Sequence, residues 1–193
     1  MDQAQILDAP SKYTALVAKS REMGFSMCSD MYVGTLLKTL VASKPKGNFL
    51  ELGTGIGLSL SWMIKGMDGD SHSTSVDNDS ELVQIASTFF KEDSRVKLIC
   101  ADAGEWLESY EGKPFDLIFA DAWPGKYSHL DGTLALLKVG GFYIIDDMIR
   151  QPNWPAGHEE KAKELIQELE RREDITITKM NWSTGLIVAV KLK

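Results

Sequence analysis

Three glycines at alternate positions, Gly53, Gly55 and Gly57, follow the apolar run Phe49-Leu50-Glu51-Leu52 and precede a segment of helical periodicity that starts at Leu58. Glycine accepts positive φ and lets a ligand approach the backbone, while the start of a helix offers free N–H groups to a polar or anionic group. A ligand-binding loop accounts for this spacing better than a bare strand-to-helix turn, which does not need three alternating glycines. Carboxylates stand at comparable places along the chain. Glu51 lies two residues before the loop, Asp77 closes the run Ser73-Thr74-Ser75-Val76-Asp77, and Asp102 follows Val96-Lys97-Leu98-Ile99-Cys100. A carboxylate at a strand end can accept two hydrogen bonds from a ribose diol, which suits Asp77. Glu51 is placed for a cationic amino group, and Ala101-Asp102-Ala103 for the edge of an adenine. Asp121 and the pair Asp146-Asp147 end two later apolar runs.

The spacing narrows the ligand. In the dinucleotide fingerprint the third glycine comes three residues after the second, but here it comes one residue early and Leu58 stands in its place. No Gly-Lys-Ser/Thr follows the loop, so a triphosphate-binding P-loop is excluded. A sulfonium amino acid is favoured by acidic surroundings and a pyrophosphate is not, so the set Glu51, Asp77 and Asp102 favours S-adenosylmethionine over a nicotinamide dinucleotide. A nicotinamide-dependent oxidoreductase remains the alternative from another enzyme class.

The elements that must hold these residues alternate regularly. Short β-rich runs at 48–52, 73–77, 96–100, 115–121 and 141–147 alternate with helical segments at 58–65, 80–91, 104–110, 130–137 and 157–172. This is the pattern of βαβ units feeding a parallel sheet, whose strands should be predominantly apolar because helices cover both faces. Residues 175–181 and 186–191 read as two further strands joined through Ser183-Thr184-Gly185, a connection short enough to favour antiparallel pairing. Residues 12–43 read as helices interrupted at 24–30. The organisation expected is one domain, with residues 1–45 as a helical cover and 46–193 as the core.

At 193 residues, with 44% hydrophobic and 25% charged residues, the composition is that of a folded globular chain. The 28 acidic against 21 basic residues give a net charge of −7, which repels phosphate backbones, so no nucleic-acid partner is expected. The first residues lack a basic and then apolar leader and no run is long enough to span a bilayer, so a cytoplasmic location without a membrane partner is expected. Cys28 and Cys100 form neither a disulfide framework nor a zinc motif, and Cys100 reads as a small buried hydrophobe.

From about Gly24 to Asp147 the sequence resembles the class I S-adenosylmethionine-dependent methyltransferases, and more closely their catechol and caffeoyl-CoA O-methyltransferase-like group. The resemblance implies an α/β fold, a Rossmann-like doubly wound, mostly parallel seven-stranded sheet with a C-terminal antiparallel hairpin. It implies contacts from Gly53, Gly55 and Ser59 to the methionine part of S-adenosyl-L-methionine, from Asp77 to the ribose, and from Asp102 and Ala103 to the adenine. The segment 26–30 corresponds to a cover over the methionine end. Asp121, Asp146 and Asp147 stand where the group ligates Mg2+, with Asp121 also touching the cofactor. The competing reading is that Asp147 caps a turn toward Arg150 and Asp121 binds cofactor alone.

The departures from the group concern the proton acceptor. Pro124 occupies the place of the usual base, a lysine three residues after the first metal ligand, which leaves Lys126, His129 and Asp147 as candidates. Asp147 replaces an asparagine, and without an ion one of the paired aspartates should be pushed to a raised pKa. Trp123 and Tyr127 fit either an aromatic acceptor or packing against adenine. The loop 150–157 should overhang the acceptor, and the charge-rich segment 158–174 reads as a solvated helix. The reaction implied is in-line methyl transfer to a hydroxyl of a small-molecule acceptor, by a chain that could be a homodimer. A silent S-adenosylmethionine-binding module is the third reading.

Overall fold

The computed structural model describes every residue except 1, 3, 4, 7, 28 and 153, so Cys28 lies outside the described residues. Its seven strands are β1 (Asn48–Leu52), β2 (His72–Asp77), β3 (Val96–Cys100), β4 (Phe115–Ala120), β5 (Leu137–Ile145), β6 (Ile175–Met180) and β7 (Leu186–Lys191). They form one sheet in the order β3-β2-β1-β4-β5-β7-β6. The first five run parallel, whereas β7 is antiparallel to both β5 and β6, so the terminal hairpin inserts its last strand inward. This is the sheet the sequence implies.

Successive residues of the central strands face opposite sides, and both sides are apolar. Leu50, Leu52, Ile118 and Ala120 join one buried cluster with α5 (Ala103–Ser109), α6 (Leu130–Ala135) and α7 (His158–Arg171). Phe49, Leu117 and Phe119 face the opposite cluster, built on α2 (Met31–Ala42) and α3 (Leu58–Gly66). A third cluster joins α1 (Tyr13–Glu22), α3 and α4 (Ser80–Phe90). Carboxylates start several of these helices, since Asp30, Asp79 and Asp102 accept hydrogen bonds from the first-turn N–H groups of α2, α4 and α5.

Three expectations need correction. β5 begins at Leu137, not 141, because Leu137 pairs with Phe115 across a register shift, and α6 ends earlier at Ala135. β2 is polar, with Ser73 and Ser75 fully buried. Cys100 is exposed, because β3 is the edge strand and Cys100 is its last residue. Among the described residues no helix is long and apolar enough to cross a membrane.

Candidate active site

The strand order reverses between β1 and β4, and a crevice at the carboxyl ends of these strands is where such sheets bind ligands. A cavity of about 720 Å³ opens there. Gly53, Gly55 and Asp77 line one end, and Asp121, Asp146 and Asp147 another. Phe25, Ser26, Met27 and Ser29 also line it, which places the predicted cover segment over the site.

At the first end every glycine N–H of the loop is bonded within the protein. Gly53 donates to Val76 O (2.9 Å), Gly57 to Thr54 O (2.8 Å) and Gly55 to Asp77 Oδ2 (2.8 Å). Asp77 also accepts from Asp79 N (3.0 Å), which fixes the carboxylate and leaves it further lone pairs for a diol. The glycines therefore serve close approach and not anion capture: a Cβ on Gly53, at φ +102°, would lie 2.8 Å from Asp121 O. None of these three amides is free for a pyrophosphate, which counts against the dinucleotide alternative.

Beneath the loop lies a buried polar chain. Thr54 donates to Ser75 Oγ (2.6 Å), and Ser75 donates to Glu51 Oε2 (2.5 Å). Ser59 also bonds Glu51, so both predicted cofactor contacts sit below the cavity wall and not on it. Burial raises the Glu51 carboxyl to about 7 against the hydrogen bonds from Ser59 and Ser75, and its Oε1 has no partner among the described residues. Asp102 is exposed as the cap of α5 and Ala103 is buried in the core; neither lines the cavity.

At the second end the sheet itself sets the acids. Asp121 N donates to Leu52 O (2.9 Å) and Asp146 N to Ala120 O (3.2 Å), so both carboxylates leave the same edge. Burial raises the Asp121 carboxyl well above its ordinary range, with Asp146 adding to the rise and the Lys126 ammonium opposing it. Asp146 is raised in the same way, chiefly by burial, against a hydrogen bond from Thr184. Asp147 adopts φ 54°, and its N–H donates to Asp146 Oδ1 (2.7 Å). Arg150, beyond this turn, pairs with Glu159 (3.8 Å).

The candidate proton acceptors separate. Lys126 is buried and borders a second cavity of about 360 Å³, while its charge reaches Asp121 and Asp146. His129, at φ 58° before α6, bonds Ser128 Oγ (3.0 Å) and Glu108 Oε1 (3.2 Å) and borders that second cavity, not the first. Trp123 is 44% exposed and packs on Tyr127 and His158, at centroid distances of 4.8 and 5.4 Å, with the Lys161 ammonium over its ring.

His158, read from sequence as part of a solvated helix, lines the main cavity beside Trp154. Thr184 and Phe25 line it as well and were also missed, whereas Gln151 lines it as part of the loop expected to overhang the acceptor. A signal existed for His158, because Gln151-Pro152-Asn153-Trp154-Pro155 is a stiff loop that ends in the glycine cap of α7. For Thr184 the sequence shows only a hairpin turn.

The three acidic donors would suit a hard cation in type. Among the described residues, however, no three His, Cys, Asp or Glu side chains are grouped so as to hold one ion. Asp146 Oδ1 is engaged by Thr184 and Asp147 N, and Asp121 Oδ2 accepts from Ser29 Oγ (3.3 Å). This arrangement does not fit a magnesium shell.

A family model described as O-methyltransferase matches residues 2–192. A Mycolicibacterium vanbaalenii protein whose name assigns it to the O-methyltransferases is 32% identical over 139 residues, 68% of this chain and 62% of its own length. One of Mycobacterium ulcerans, with the same assignment, is 30% identical over 82% of this chain and 75% of its own length. The chain thus spans less than two thirds of the first of these relatives. Among solved structures, the O-methyltransferase TomG from Streptomyces achromogenes, in complex with SAM, superposes with a TM-score of 0.86 at 19% identity, covering 98% of this chain and 93% of that one. An O-methyltransferase from Bacillus cereus in complex with SAH gives 0.83 at 19%, covering 97% and 94%. With the family match running nearly end to end over a sheet of this order, the chain belongs to the O-methyltransferase family.

Proposed function

We propose that the chain is an S-adenosylmethionine-dependent methyltransferase acting on a hydroxyl of a small-molecule acceptor by one in-line displacement. The observation that carries this reading is the loop whose glycines admit a ligand against the backbone while all three of their amides are already bonded inside the protein. Such a loop accommodates a sulfonium nucleoside and does not cradle a diphosphate. When bound, S-adenosylmethionine supplies an electrophilic methyl carbon.

The residues of the chain then have separable tasks. Asp77 accepts the ribose hydroxyls, and Gly53 and Gly55 keep the wall open to the methionine part. Ser29, Met27 and Phe25 close over the top and exclude water. Glu51 attracts the cofactor's ammonium from below, as a buried carboxylate with one unpartnered oxygen. At the other end the Lys126 ammonium offsets the negative charge that an acceptor oxygen develops as it loses its proton. Aligning that oxygen with the methyl carbon is the main contribution asked of the protein.

The test is to incubate the protein with S-adenosylmethionine and a panel of phenols and catechols and to follow S-adenosylhomocysteine and the methylated product. Transfer to oxygen is expected for at least one member. Transfer to nitrogen would sink the hydroxyl assignment, and binding without any turnover would revive the silent module. A homodimer belongs to the same reading, checked by sedimentation velocity.

A further inference from the structure

In the loop between β5 and α7, Gln151 precedes a proline, which confines its backbone to extended forms. That loop is fastened to the β6–β7 turn, since Ile149 N donates to Thr184 O (3.0 Å) and Met148 N to Gly185 O (2.9 Å). The Gln151 amide completes the seam, with Nε2 donating to Ile149 O (2.8 Å) and to Thr184 O (3.2 Å). Two carbonyl oxygens can only accept, so the amide nitrogen must face them and the orientation of the amide is fixed. Oε1 keeps its lone pairs. It accepts no hydrogen bond among the described residues, and on this half-buried side chain it is not enclosed, in contrast to Glu51 Oε1. Gln151 lines the main cavity together with Asp146, Asp147 and Thr184.

The polar groups around it lean the same way. The Thr184 hydroxyl and the Asp147 N–H, both donors, are spent on Asp146, and the Ser29 hydroxyl is spent on Asp121. Lone pairs are what this end has left to offer. The charge is one-sided too: Asp77, Asp79, Asp121, Asp146 and Asp147 line the cavity, and its described lining residues include neither lysine nor arginine. Lys126 borders the second cavity instead. Burial and then the Lys126 ammonium lower the His158 pKa, so that imidazole adds no charge near neutral pH. A cationic cofactor offsets part of this field, and an anionic acceptor would meet the rest unpaired.

We propose that Gln151 sets the acceptor class: its Oε1 takes a hydrogen bond from a second donor, a hydroxyl or N–H, on an acceptor that is not an anion. The inference rests on the methyltransferase reading above and adds what the acceptor carries besides its reacting hydroxyl. A second donor held by Oε1 orients the acceptor, which is the contribution an in-line displacement asks of the protein. An acceptor with an ether oxygen in place of that donor would set lone pair against lone pair, and the site would reject it. Carboxylates and phosphates are rejected by the field of the aspartates.

The test uses the full chain, first titrated with S-adenosylhomocysteine by calorimetry. Absence of that binding overturns the methyltransferase reading and this inference with it. The saturated complex is then titrated with catechol and with 2-methoxyphenol, which lacks the second donor. Catechol should bind about tenfold more tightly, the weight of one hydrogen bond with its partner otherwise left unmet. No binding of catechol, or no preference for it, overturns the inference and leaves the function standing. Gln151→Met keeps the length of the side chain and removes the amide. In this variant catechol should fall to the level of 2-methoxyphenol, while 2-methoxyphenol and S-adenosylhomocysteine change by less than about twofold. Equal losses for catechol and 2-methoxyphenol would show that the amide only fastens the loop, and would overturn the inference. A last pair needs no variant: 3,4-dihydroxybenzoate should bind the wild-type complex at least about tenfold more weakly than the neutral 3,4-dihydroxybenzamide of the same shape. Equal or tighter binding of the benzoate overturns the exclusion of anions.

Discussion

The two ends of the cavity are stabilised by opposite means. At the glycine loop nearly every polar group has a direct partner: Asp77 holds two backbone N–H groups, and Thr54, Ser75, Glu51 and Ser59 form one hydrogen-bonded chain. At the ends of β4 and β5, Asp121, Asp146, Lys126, Tyr127 and His158 are brought together with few direct bonds among them and strong mutual influence on ionisation. The first end holds its cavity-lining carboxylate, Asp77, by direct hydrogen bonds. The second keeps buried acids beside one another, so that burial and neighbouring carboxylates raise them.

The largest effect expected from disturbing this contrast comes from Gly53→Ala. Its Cβ would meet Asp121 O at 2.8 Å with φ at +102°, a clash with backbone and a strained conformation together. Because Asp121 belongs to the other end, the variant strikes both. A stability loss of about 3 kcal/mol or more and an S-adenosylhomocysteine affinity reduced about a hundredfold or more are expected, read by thermal melts and calorimetry. Ordinary affinity in the variant would show that the loop does not approach the ligand closely.

Glu51 tests whether the first end is as quiet as its hydrogen bonds suggest. Its carboxyl rises from an ordinary value of 4.5 to about 7 on folding, so the folded state holds an extra proton between these pH values. Stability of the ligand-free protein should therefore fall as pH rises from 4.5 to about 7. The cost, roughly 3 kcal/mol, is fully present above that range. Glu51→Gln should flatten this slope in urea melts at about pH 5 and about pH 7.5. Because Asp121 and Asp146 are also raised, part of the slope should persist in the variant, and that remainder measures the second end.

The contrast also explains what could be read from sequence. Glycines and strand-end acids belong to the backbone's own path, so Gly53, Gly55, Asp77, Asp121 and Asp146 were legible from alternation and spacing, as were all seven strands to within a few residues. Ser59 and Asp102 were legible as positions but not as surfaces: one points down to Glu51 and the other caps α5. Thr184 reaches the site only through tertiary packing of the β6–β7 turn, which no local pattern encodes, and for His158 the sequence offers only the proline-stiffened loop before α7. Cys100 was misread because edge and central strands share composition, while only strand order decides burial.

Thr184→Val separates the ends more finely. It removes the hydroxyl that donates to Asp146 and leaves the glycine loop untouched. The Asp146 carboxylate loses a bond that favours its ionised form, so its pKa should rise further, at a stability cost of about 1–2 kcal/mol near neutral pH. S-adenosylhomocysteine affinity should change less than about threefold, whereas kcat for catechol should fall about tenfold. Equal loss of both would mean that the two ends are one electrostatic unit.

The smallest expected effect is the sharpest on position. Trp123 follows Asp121 closely in sequence, which left open whether it packs against adenine or walls the acceptor. Its ring contacts are to Tyr127 and His158, and much of its surface faces solvent. Trp123→Ala should therefore cost about 1 kcal/mol or less in stability and leave S-adenosylhomocysteine affinity unaltered, since the contacts it loses belong to the acceptor end. The expected signature is a rise of about three- to fivefold in KM for catechol, with the His158 ring signals broadened by freer motion. A weakened cofactor with an unchanged acceptor KM would move Trp123 to the adenine side and shift the boundary between the two ends past the turn after β4.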